Sequence, residues 1–319
     1  MKTLTDSPTI PAFEKTSRKK LQPGIKMFLM VLPFLLLVFV FCYFPLYGWI
    51  YAFYEYRPPL KLSQCEFVGF KWFELLFRNP TQIQQMLKVM LNTFAISGLG
   101  IVTSFLPVTF AIFLTEAKSK TFKHVVQTLT TIPNFISWVL VYSVAFSLFS
   151  NSGMVNSVMQ SLGLIDMPIK FLDSDNMTWI KMCLWSLWKY TGWNAIMYLA
   201  AISGIDQEQY EAARVDGAGR FRLMWHITVP GLMPTFFVLL MLSIANFLNN
   251  GLDQYYVFQN AFNREHIQVL DLYVYNTSMG GSNAYSLATV MSMLKSIISV
   301  TLLLFANRMS KLVRGETII

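Results

Sequence analysis

Six long apolar runs, at 27–53, 90–115, 125–149, 178–204, 231–250 and 284–306, alternate with polar stretches along the chain. Each reaches the roughly 20 residues that a helix needs to cross a hydrocarbon core. None shows the apolar–polar alternation of barrel strands, so helices are the predicted spanning form. Pro133 interrupts the third run, and Lys189 and Lys295 lie near the middle of the fourth and sixth. Two shorter segments, FKWFELLFR at 70–78 and MVNSVMQSL at 154–162, carry apolar side chains at helical spacing. They are predicted to be short helices, lying in the interface or over the ends of the spans.

Composition agrees with this pattern. Of 319 residues 54% are hydrophobic and only 13% charged, whereas soluble domains average about 25% charged. A chain this poor in charge cannot solvate an ordinary water-facing surface, so an all-α integral membrane protein is expected. The first run follows 26 residues and is 27 residues long, beyond the roughly 7–15 of a signal-peptide core, and reads as an uncleaved anchor. Three cysteines make no disulfide framework; Cys42 and Cys183 read as small buried hydrophobes and Cys65 as a loop residue.

The net charge of +8 is a matter of topology. With the N-terminus in the cytoplasm, 15 Lys and Arg fall inside and eight outside, as the positive-inside rule requires. Both termini are then cytoplasmic, and the basic excess is no nucleic-acid footprint. The expected organisation is a cytoplasmic tail at 1–26, a first span at 27–53, an extracellular loop at 54–86, a transmembrane core at 87–307 and a cytoplasmic tail at 308–319. No internal repeat is apparent.

One polar stretch of the core stands apart. YEAARVDGAGRFRLMWHITVP, residues 210–230, lies between the fourth and fifth runs on the cytoplasmic side. Asp206 is a good N-cap, with Gln209 three residues on. Gly217 and Gly219 permit a sharp bend. The following RFRLMWHITV places Phe221, Met224, Trp225 and Thr228 on one helical face, and Pro230 suits the start of the next span. A helix–bend–helix across the inner face is predicted, offering an aromatic knob and several charges to the cytoplasm. On residue chemistry alone, an ordinary interfacial loop fits equally well.

The same stretch resembles the EAA signature of binding-protein-dependent ABC importer permeases, which runs Glu-Ala-Ala, three residues, Gly, nine residues, then Ile-x-Leu-Pro. Glu211, Ala212, Ala213, Gly217, Ile227 and Pro230 fall in register, with Val229 in place of leucine. Further segments, among them WKYTGWNAIMYLAAISGIDQEQYEAARVDGA and YSLATVMSMLKSIISV, are similar to the LplB-type branch of the carbohydrate-uptake permeases, over about residues 27–316. The resemblance implies a type I ABC importer permease fold in the bacterial plasma (inner) membrane, and import of an oligo- or polysaccharide. It implies that 205–230 is a coupling loop seated on an ATPase, with Glu211, Ala212, Ala213, Arg214, Asp216, Gly217, Arg220 and Phe221 at the contact. Implied partners are a second homologous permease, two cytoplasmic ABC ATPases, an extracellular solute-binding protein and the lipid bilayer.

Other chemistry is thin. No G-x-x-x-x-G-K-[ST] occurs, so ATP and Mg are expected on the partner ATPase, with no cofactor in this chain. His124, His226 and His266 are isolated in sequence, and neither a catalytic triad nor a carboxylate pair stands out. Polar groups within spans are therefore the candidates for the substrate path. Ser243, Asn246, Asn250 and Asp253 are spaced as one stripe, whose amides and carboxylate suit sugar hydroxyls; helix–helix hydrogen bonding would turn them inward equally well. Lys189 and Lys295 must meet a water-filled path, a partner's acid or backbone carbonyls; on a path they would suit an anionic saccharide. Trp188 and Asn194 complete the candidates, although aromatics on spans more often pack or belt the interface. A polyol or glycerol-phosphate cargo is the nearest alternative; a membrane-embedded enzyme or passive channel is more remote.

Overall fold

The computed structural model describes residues 23–280 and 284–314. Most of the N-terminal tail and the last residues of the C-terminal tail lie outside these. The chain divides into two units, Met1–Trp49 and Ile50–Ile319. In the first, α1 (Pro23–Val38) runs through a π-turn (Phe39–Tyr43) into a 3-10 stretch (Phe44–Phe53) that continues into the second unit. Its apolar side chains are exposed, Phe41 at 72%. Cys42 is exposed among them, not buried as expected.

The second unit holds the remaining helices. A short α2 (Lys71–Arg78) leads to α3 (Pro80–Val102), α4 (Phe105–Glu116), α5 (Lys120–Thr131), α6 (Trp138–Phe149) and α7 (Met154–Ser161). Then come α8 (Thr178–Ser203), α9 (Gln207–Val215), α10 (Arg220–Leu223) and α11 (Val229–Ala245). Three shorter helices, α12 (Asp253–Phe258), α13 (Arg264–Ile267) and α14 (Leu270–Met279), precede α15 (Tyr285–Arg314). Among the described residues the one β feature is a bridge between Tyr54 and Phe67. The short helices expected at 70–78 and 154–162 are present as α2 and α7.

Among the described residues, five helical stretches are long and apolar enough to cross a membrane: Gly24–Phe53, Pro80–Glu116, Trp138–Ser161, Arg220–Ala245 and Tyr285–Lys311. The expected fourth span is also a single helix, α8, with 26 residues. Its two lysines and its many Trp, Tyr and hydroxyl side chains keep it out of that set. At 1.5 Å per residue it is about 39 Å long.

The expected third span, 125–149, is broken. Pro133 lacks an N–H and its ring crowds the preceding turn, so α5 gives way to a 3-10 turn at Ile132–Phe135. Ser137 then caps α6, its hydroxyl accepting from the Leu140 N–H at 3.4 Å. The break leaves backbone carbonyls short of helical partners, although that of Pro133 still accepts from the Ile136 N–H at 3.2 Å, and α8 adds a donor to them. The Lys189 ammonium, on a residue only 3% exposed, donates to the carbonyls of Pro133 at 2.9 Å, Asn134 at 3.1 Å and Ile136. It also lies 5.4 Å from the Trp138 ring centre and 5.5 Å from that of Tyr190. Just beyond, α8 runs so close to α5 that a Cβ on Gly192 would stand 2.2 Å from the Thr130 carbonyl oxygen.

The helix α8 is the central post. One core cluster joins its Met182 to Ile96 of α3, Trp138 and Val141 of α6, and Tyr255 and Phe258 of α12. Another joins its Ala195, Tyr198 and Ile202 to Val108 and Ala111 of α4 and Leu232 of α11.

Lys189→Met is expected to destabilise the protein by roughly 1–3 kcal/mol for each carbonyl left without a donor. Gly192→Ala is expected to cost about 1–3 kcal/mol through overpacking of α8 on α5. Thermal unfolding of the detergent-solubilised chain reads both; an unchanged midpoint in Lys189→Met would refute the carbonyl-capping role.

Candidate functional site

At the C-terminal end of α8 the chain turns into the polar stretch singled out above. Asp206 caps α9, its carboxylate accepting from the Glu208 N–H at 3.0 Å. The helix stops in a Schellman turn: the Ala218 N–H bonds the Ala213 carbonyl at 2.9 Å, and the Gly217 N–H bonds that of Arg214 at 3.0 Å. Gly217 has φ +79° with no atom near its Cβ position. The requirement for glycine is therefore conformational, not steric.

Beyond the bend, α10, a π-turn (Met224–Thr228) and α11 form one continuous helix. It starts at Arg220, well before the expected Pro230. The wider π-turn also changes the register, so the four residues expected on one face do not share it. Thr228 is 3% exposed while Phe221 is 78% and Trp225 72% exposed. The buried Thr228 hydroxyl instead meets the Tyr210 hydroxyl at 2.9 Å and ties α9 to this helix. That leaves Glu211, Ala212, Arg214, Asp216, Gly217 and Arg220 exposed and Ala213 half-buried. Among the described residues none of these charged groups forms an ion pair with another. The loop thus offers unpaired charges beside bare Val215 and Phe221.

Between α3, α8 and α11 lies a cavity of about 560 Å³. Its polar lining consists of hydroxyls, such as Ser97, Thr103, Thr191 and Ser243, and of the amides Asn194, Asn246, Asn249 and Asn250. Among the described residues no Asp, Glu, Lys, Arg or His lines it. Asn250 donates to the Ser97 hydroxyl at 2.8 Å, and its own carbonyl oxygen is buried without a partner.

The expected stripe is only partly continuous. Helix α11 ends at Ala245, Asn246 is its C-cap, and Asp253 starts a separate helix, exposed and outside the cavity. Trp188 is 48% exposed and also lies outside it. Lys189 is held by carbonyls and does not line the cavity. Lys295 pairs with Asp271 of α14, an acid of its own chain, whose other oxygen accepts from the Gly251 N–H at 3.1 Å. That pair lines a second groove, which shares Asn249 with the cavity. Of the expected path residues, then, the fold gathers Asn194, Asn246 and Asn250 and directs the others elsewhere.

A family model described as binding-protein-dependent transport system inner membrane component matches residues 107–314, from α4 through α15. The chain belongs to this family. The permease is 37% identical over 287 residues to Protein LplB of Bacillus subtilis (strain 168), covering 89% of this chain and 88% of that one. It is 36% identical over 305 residues to the polygalacturonan/rhamnogalacturonan transport system permease protein YteP of the same organism, covering 94% and 93%. Among solved structures, it is similar to a chain of a bacterial ABC transporter involved in the import of the acidic polysaccharide alginate. The identity is 30%, the TM-score 0.79, and the coverage 91% of this chain and 96% of that one. A second structure, of a bacterial alginate ABC transporter in complex with an alginate pentasaccharide-bound periplasmic protein, matches at 29% identity and TM-score 0.80, with coverage of 92% and 96%.

The permease is thus an inner membrane component of a transport system, and the matched region contains both the bent loop and the fourth to sixth apolar runs. Several cavity residues escaped sequence reading. Ser97, Thr103 and Thr191 look like ordinary small residues within apolar runs, and only the packing of three helices brings them together.

Gly217→Ala is expected to cost about 1–2 kcal/mol, the penalty of holding a Cβ in a left-handed conformation. Faster amide hydrogen exchange across α9, with unchanged exchange in α3 and α4, would report it. Equal exchange in both proteins would show that the turn relaxes without strain.

Proposed function

We propose that this permease is a carbohydrate-import subunit that forms part of the membrane path for an oligosaccharide or polysaccharide fragment. In this reading the chain has six spans, α8 being one of them, with both termini cytoplasmic and the core at 87–307. The loop 205–230 seats on a separate ATPase, which binds ATP and Mg. A second homologous permease, two ATPases and an extracellular solute-binding protein complete the assembly, and no cofactor or catalytic group is needed in this chain.

The observation that carries the proposal is the conjunction of two sites along one post. The lower part of α8 leads into a loop with unpaired charges and bare apolar side chains, while its middle lines a cavity of hydroxyls and amides. Hydroxyls and amides both donate and accept, as sugar hydroxyls do. The names of the relatives support the same cargo class. A glycerol-phosphate cargo would bring a dianion into a cavity whose lining in this chain has no cation. A uronate's carboxylate would likewise find its counter-charge outside this cavity.

Two expectations test the proposal. Glu211→Lys should abolish uptake and substrate-stimulated ATP hydrolysis while the complex assembles in normal amount, because reversing one partner of a buried interfacial pair costs about 3–5 kcal/mol. Normal stimulated hydrolysis and uptake would overturn the coupling role of Glu211. Asn194→Leu and Asn246→Leu should each slow uptake of a labelled oligosaccharide roughly threefold to tenfold, the worth of one hydrogen bond, with stimulated hydrolysis retained. Full uptake in both variants would remove the cavity from the path.

A further inference from the structure

The N-terminal end of α8, opposite the bent loop, borders a second cavity of about 540 Å³ that no part of the reading above uses. It lies between the start of α3, the segment before α8, and the stretch around α13. Its framework is tied by hydrogen bonds and ion pairs. The amide of Asn92, 2% exposed, donates to the carbonyls of Glu265 at 2.8 Å and Gln268 at 3.2 Å and accepts from the Trp179 indole at 3.1 Å. Asp175 is bound to His266 at 2.5 Å. Lys88 meets Glu265 at 2.7 Å, and its ammonium holds the Glu265 carboxyl below the usual carboxylate range.

Against this framework several polar groups are left without partners. Gln268 is 7% exposed and lines the cavity, yet among the described residues its carboxamide makes no hydrogen bond. Its amide atoms reach the cavity space, where a ligand's polar groups can meet them. The exposed Gln84 and Arg264 and the half-buried Gln85 line the same space, and among the described residues their side chains bond no other protein group. At the rim stands Phe262, 65% exposed. Free carboxamides, one guanidinium, fixed carboxylates and one bare aromatic face form a set that both donates to and accepts from hydroxyls while offering a platform to a ring. It is an open groove whose volume falls within the roughly 300–1,000 Å³ of small-molecule sites.

We propose that this cavity is a saccharide subsite at the outer mouth of the permease, holding a sugar residue between Gln84, Gln85 and Gln268, with Phe262 against the ring and Arg264 beside it. It receives the cargo before the central cavity does. The inference rests on the carbohydrate reading above, which supplies both the cargo and the outward orientation of this end.

The test uses the complete transport complex in proteoliposomes with its binding protein. Labelled oligogalacturonides, arabino-, malto- and alginate oligosaccharides are offered, and whichever the native complex accumulates becomes the probe. At saturating loaded binding protein, Phe262→Ala, Gln84→Leu and Gln268→Leu should each slow initial uptake roughly threefold to tenfold. Affinity for the unloaded binding protein and basal ATP hydrolysis should not change. Gln268 is buried, so the exposed Phe262 and Gln84 decide the matter if Gln268→Leu fails to assemble. Native uptake rates in both exposed variants would overturn the subsite while leaving the carbohydrate reading intact. A fall in affinity for the unloaded binding protein would overturn it in favour of a protein-docking surface. If the native complex accumulates none of the four classes, the carbohydrate reading itself fails, and the subsite with it.

Discussion

A helix interrupted within an apolar surrounding exposes backbone carbonyls that neither lipid nor hydrocarbon side chains can satisfy. Pro133 forces such an interruption, and Lys189 answers it with an ammonium whose three donors match three carbonyl oxygens. The arrangement of the core unit follows from this one contact. It holds the α5–α6 break against the middle of α8, and the glycine at 192 lets the α5 backbone come up beside it. With that register set, the two ends of α8 are set as well. Ile202 packs beside the bent loop, and Trp179 reaches the frame of the cavity at the N-terminal end of α8.

The same contact shows where reading a sequence by period succeeds and where it stops. Helices existed where apolar spacing predicted them, even the short ones over 71–78 and 154–161. The left-handed Gly217 was legible too, because a glycine after a capped helix has few other uses. Periodicity failed wherever the helix itself changed. It carried the stripe from Ser243 to Asp253 past Ala245, where α11 in fact ends. It assumed 3.6 residues per turn through Met224–Thr228, where a π-turn rotates Thr228 inward and leaves Trp225 bare. Long-range pairing was equally invisible. Lys295 has no acid within its own helix, and Asp271 is 24 residues away on another.

The fate of the lysines bears on the chemistry of the cavity. A mid-membrane charge is expensive and is expected either to serve function or to be compensated. Here both are compensated within the chain, Lys189 by carbonyls and Lys295 by a carboxylate. Neither lines the cavity between α3, α8 and α11, whose polar lining among the described residues is of hydroxyls, amides and the Cys183 thiol. On the proposed function this is an advantage, because a site along a path must bind well enough to admit its cargo and weakly enough to release it. A desolvated lysine facing an anionic sugar would form a charge-assisted bond roughly twice as strong as a neutral one, and would hold what the path must pass on. Neutral groups spread over α3, α8 and α11 give many replaceable hydrogen bonds in place of one deep well. Among the described residues Glu211, on the bent loop beyond one end of α8, and Arg264, on the cavity beside the other end, form no ion pair.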